Sequence, residues 1–68
     1  MSRDELLEDR AAFISGEIGG AVVELIIDGV VISRDAIVDS LEAKRKTVGN
    51  VIHKGVLRDA AEFLRKGQ

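Results

Sequence analysis

The sequence predicts an all-α fold: a three-helix chain with a long first helix, assembled as a helical homodimer. Three observations lead there. The chain has no Pro and is rich in Leu, Ala, Glu, Lys and Arg, a composition that favours helices over turn-rich β architectures. Gly29 and Gly49 fall in two breaks that separate three segments of helical apolar period. Residues 12–29 are too apolar for a surface helix of so small a protein and too glycine-rich for an ordinary core helix, so this segment has two faces to bury.

Helix 1 is expected over about 3–28. Ser2 and Glu5 have the spacing of a capping box ahead of Leu6 and Leu7, and Asp28-Gly29 supplies a left-handed stop. At about 100° per residue, Leu7, Ala11, Ile14, Ile18, Val22 and Leu25 form one stripe, assigned to the chain's own core. On the other side Ala12, Gly16, Gly19, Val23 and Ile26 recur at steps of four and three, with Ile27 beside them, a second coiled-coil-like seam. These six residues are the expected dimer interface. Gly16, Gly19 and Gly20 each cost roughly 1 kcal/mol of helix propensity relative to Ala. Either they break the segment into two helices near 16–20, or they mark close approach of two helix backbones.

Val30-Val31-Ile32 is expected to be an extended apolar connector lying over the core. Ser33 then caps helix 2, about 34–46, with Asp35 in its first turn and Ile37, Val38 and Leu41 on one side. Asn50 or Thr47 caps helix 3, about 51–66. Its apolar arc is Ile52, Val56, Leu57, Ala60, Phe63 and Leu64, and Gly67 ends it.

The 68 residues have room for one domain, whose single core is marginal unless something staples it. There is no Cys, so no disulfide does so, and one His without thiolates excludes a zinc cluster. Oligomerisation is the staple that remains. A Cys-free chain fits a reducing compartment. The longest charge-free run falls far short of the about 20 residues a membrane span needs. The opening Met1-Ser2-Arg3-Asp4-Glu5 has no signal-peptide core behind it. The expectation is a cytoplasmic protein with no membrane partner.

The net charge of −2 conceals a split: residues 1–33 carry seven acids against two bases, and residues 34–68 five acids against eight bases. Such asymmetry steers docking of halves or subunits. Lys44, Arg45 and Lys46, with Lys54 and Arg58, are the candidate phosphate contacts. A solvated helix face explains them more simply, since no aromatic interleaves them for base stacking and Asp59 and Glu62 dilute the field.

Catalytic readings find little support. His53 has no Ser or Cys nucleophile nearby in the pattern and reads as a core-edge or interface histidine. Asp4, Glu5, Glu8 and Asp9 suit a helix N-terminus rather than a proton-transfer pocket. Gly16-Glu17-Ile18-Gly19-Gly20 lacks the ending and the preceding strand of a nucleotide-binding loop. No catalytic, metal or cofactor residue is expected.

The pattern Ile18-Gly19-x-Ala21-Val22-x-x-Leu25-x-x-x-Gly29 resembles the small enterobacterial biofilm-development regulators of the AriR (YmgB) type, the two-component-system connector proteins. The likeness runs over about residues 8–65, and in its last part is one of apolar pattern (Ile37, Val38, Leu41, Val51, Val56, Leu64). The fumarase D-like small proteins share much of the same signature. The connector resemblance implies an all-helical homodimer that acts in biofilm formation, stress response or a phosphorelay by binding another regulatory protein, with DNA binding in some members. The chain departs from those regulators by lacking most of their N-terminal extension and by Gly16, Gly20, Gly49 and Gly55. The expected function is therefore a non-enzymatic regulatory adaptor. Its rivals are a DNA-associated transcriptional modulator and a small enzyme of the fumarase D-like type.

Overall fold

The computed structural model describes residues 3–67, with side chains from Arg10 onward. It consists of three helices, α1 (Arg3–Ile27), α2 (Arg34–Thr47) and α3 (Val51–Lys66), each packed against the other two. Among the described residues there is no strand. The fold is all-α, as its sequence predicts.

Local chemistry sets each boundary. α1 stops one residue earlier than the expected Asp28, in a Schellman motif: Val30 N–H donates to the Leu25 carbonyl at 2.9 Å and Gly29 N–H to the Ile26 carbonyl at 3.2 Å. Gly29 closes this loop at φ +72°, a conformation that disfavours a Cβ. The Ser33 hydroxyl accepts from Ala36 N–H at 3.0 Å to cap α2. Of the two candidate caps for α3, Asn50 is the one used, its side-chain oxygen accepting from His53 N–H at 3.0 Å. Thr47 instead ends α2, its hydroxyl donating to the Lys44 carbonyl. The expected Ser2–Glu5 box lies outside the described residues.

α1 is continuous through Gly16, Gly19 and Gly20, so the two-helix alternative is overturned. Ile14, Ile18 and Ala21 pack one face of it on the core residues of α2 and α3, and Leu25 is buried on the same side. That face is turned from the predicted stripe toward Ala21 and away from Ala11 and Val22. Ala11 is exposed, Val22 is half-buried, and Ala21, absent from the predicted stripe, is buried. The Leu7 side chain lies outside the described residues.

The centre of the core is made by Leu41 of α2 and by Leu57, Ala60 and Ala61 of α3, with Val38 beside them. Two adjacent alanines with no exposed surface let α3 approach its neighbours closely. The helix is thereby rolled so that Ile52 and Phe63, both expected inside, lie outside at 80% and 62% exposure. The connector is a second correction. Val31 is 83% exposed, and Val30 and Ile32 about half, because the Schellman turn throws the chain away from the core instead of across it.

Leu57 has no exposed surface, and truncating such a leucine costs about 2–5 kcal/mol. Leu57→Ala is expected to remove most of the cooperative thermal transition measured by circular dichroism, since a domain this small has little stability in reserve.

Candidate interaction surfaces

Glu17 occupies a helical step between Ile14 and Ala21, on the buried face of α1. Its side chain, 19% exposed, reaches both partner helices: Lys44 Nζ of α2 donates to Oε2 at 3.2 Å, and His53 Nε2 of α3 lies 2.8 Å from Oε1. Burial pushes the Glu17 carboxyl up, but the hydrogen bonds from Lys44 and His53, together with their charges, outweigh it and hold the pKa below the ordinary value of 4.5. A second tie, Arg10 to Asp59, fixes α1 antiparallel to α3. His53 is thus a core-edge residue with a structural partner, and neither cleft described below includes it. Sequence reasoning missed Glu17. The available signal was a lone acid inside the run Ile14, Ile18, Ala21.

The outer face of α1 is not covered by α2 or α3 among the described residues. All six predicted interface residues, Ala12, Gly16, Gly19, Val23, Ile26 and Ile27, are exposed, Ile27 by 76%. A Cβ built at Gly16, Gly19 or Gly20 meets nothing within 4 Å. Nothing among the described residues therefore explains three glycines in mid-helix, where each weakens the helix. Phe13 and the connector residues Val30 and Val31 extend the apolar surface. Sequence reasoning found the face from periodicity, but not that Phe13 would widen it.

Of the five predicted phosphate contacts, the structure gathers four. Arg45 and Lys46 from the end of α2, with Lys54 and Arg58 from α3, line an open cleft of about 390 Å³ together with Val51 and Gly55. Lys44 is turned away to Glu17. Arg45 pairs with Glu42 at 2.6 Å and Arg58 lies 3.5 Å from Asp59. Among the described residues, Lys46 and Lys54 have no carboxylate partner. A second open cleft, between α1 and α2, is lined by Glu24, Asp28, Ser40, Ala43, Lys44 and Thr47. Among the described residues no three His, Asp or Glu side chains gather as metal ligands, and no helix is long and apolar enough to cross a membrane.

No protein-family model matches the chain, and neither does a curated protein or a solved structure.

The lowered pKa gives a pH signature. Glu17 is charged and stabilising above its unfolded-state value of 4.5, and that contribution disappears as pH falls through the lower folded-state value. Glu17→Gln is expected to destabilise the fold by roughly 1 kcal/mol at neutral pH, Lys44 and His53 being partly exposed. Urea denaturation of both proteins across the acid range checks this: the difference should shrink below the ordinary carboxylate pKa.

Proposed function

We propose that the chain is a self-associating regulatory adaptor, a homodimer in the cytoplasm that acts by binding another protein rather than by catalysis. The observation carrying this reading is the outer face of α1. Val23, at its centre, lies opposite the buried Ile14–Leu25 face and is 55% exposed, flanked by Ile26, Ile27 and three glycines with open space above them. Contiguous apolar surface of this kind marks an interaction site. Small residues along it let a second helix approach closely, which a bulky solvent-facing row would not.

The size suits a second copy. A standard interface takes about 800 Å² per partner, roughly a sixth of the 4993 Å² surface of this chain. Residues 12–27 of α1 span about 24 Å at the rise of an α-helix, and the connector prolongs the row. A two-fold interface uses one self-complementary patch on both subunits, and a continuous helix with a central glycine pair suits such a patch. The likeness of Ile18-Gly19-x-Ala21-Val22-x-x-Leu25-x-x-x-Gly29 to the connector regulators supports the regulatory part of the reading. In this fold that pattern joins buried Ala21 and Leu25, outward Gly19 and the left-handed turn at Gly29.

Gly19→Leu separates assembly from folding. Within one chain the new side chain meets open space and gains roughly 1 kcal/mol of helix propensity, whereas at a close helix crossing it overpacks by about 1–3 kcal/mol. The variant is expected to be a more helical monomer by light scattering, and Val23→Glu a monomer of unchanged helicity. Association unaffected by both substitutions would remove α1 as the interface.

A further inference from the structure

The cleft between the end of α2 and the start of α3 is not used by the reading above. We propose that it is a docking site for a short acidic segment of a protein partner, one that carries carboxylates interspersed with apolar side chains. This deepens the adaptor reading and rests on it, by assigning the place where the second protein binds.

Four cations from two helices converge there, and two of them, Lys46 and Lys54, have no carboxylate partner among the described residues. Gly55 forms part of the lining. It lies inside α3, where a glycine weakens the helix, and a Cβ built on it meets nothing within 4 Å. Close helix packing therefore does not explain it, whereas an occupant of the open cleft would. The rim is apolar as well as basic, for Val51 is 82% exposed. A carboxylate-and-leucine segment matches both characters of this surface.

Nucleic acid matches less well. Its long polyanion would meet a molecule of net charge −2, and the cleft has no aromatic side chain on which bases would stack. A short segment meets only the local field, which acts over about 8 Å at physiological ionic strength. The backbone of the first turns of α1 also leads away from the cleft. α1 runs antiparallel to α3, with Glu17 beside His53 and Arg10 beside Asp59, so residues 3–9 continue toward the far end of α3.

The cleft residues Val51, Lys54, Gly55 and Arg58 share an arc of α3 opposite His53, which meets α1 through Glu17, while Asp59 stands between Arg58 of the cleft and Arg10 of α1. A dimer formed through the outer face of α1 leaves both clefts open. Two tethered acidic segments then gain from effective concentration.

Titration calorimetry at low ionic strength tests this with a blocked peptide of Glu-Glu-Leu repeats, its Gln-Gln-Leu counterpart, inorganic phosphate and a short DNA duplex. The acidic peptide is expected to bind in the micromolar range and the Gln peptide not at all. The double variant Lys46→Glu/Lys54→Glu and the cleft-filling Gly55→Leu should each weaken binding about tenfold, equivalent to about 1.4 kcal/mol. Circular dichroism should show both variants folded. A tethered pair of peptides should bind the native chain more tightly than monomeric Val23→Glu, while the single peptide binds the two alike. Single-peptide binding without any gain from the tether would uphold the cleft and count against the dimer alone. Absent binding, equal binding to the charge-reversed chain, or tighter binding of phosphate or DNA than of peptide would overturn the proposal. Growth beyond a dimer that the cleft variants abolish would overturn it too, by assigning the cleft to the acidic turns of another copy.

Discussion

Two short helices cannot wrap a long one. α2 and α3 have 14 and 16 residues against the 25 of α1, and they pack on each other as well as on α1. Together they close one face of α1 and leave the opposite face in solvent. The central packing is through Leu41, Leu57, Ala60 and Ala61, a small core, as expected for a chain of this length. The exposed face of α1 follows from that geometry, and the apolar and glycine residues occupying it are what a second chain would meet.

Within the core the polar tie at Glu17 does what apolar contacts alone do poorly: it sets register. Hydrophobic packing tolerates sliding of one helix along another, whereas a carboxylate held by Lys44 on one side and His53 on the other has one position. Arg10 with Asp59 and Arg65 with Glu42 add exposed pairs, which contribute less energy in water but pin α1 to α3 and α3 to α2.

Helix boundaries were legible because they are written in local chemistry. Ser33, Asn50 and the Asp28-Gly29 pair announce their caps through side-chain oxygens and a backbone that favours glycine. The rotation of each helix was less legible. Periodicity separates Phe63 from Ala61, about 200° apart on α3, but does not say which of the two faces inward, because the preference for small residues at the contact arises only when three helices converge. The expectation that Phe63 and Ile52 would be inside follows residue type, and the structure follows close approach at Ala60 and Ala61. Glu17 was hidden for a related reason, since its partners are distant in sequence. The basic residues were visible as a run, but not the division that sends Lys44 to Glu17 and the other four to one cleft.

Two surfaces are left open, the apolar outer face of α1, proposed as the seat of a second copy, and the basic cleft between α2 and α3. The central claim concerns the first. Isotope-filtered nuclear magnetic resonance on a mixture of labelled and unlabelled chains reads contacts between copies without altering a residue. The account predicts intermolecular contacts among the methyl groups of Val23, Ile26 and Ile27, with none from the buried Leu41 and Leu57. A folded chain that remains monomeric at the concentrations of that measurement, with no contact between copies along α1, would contradict it.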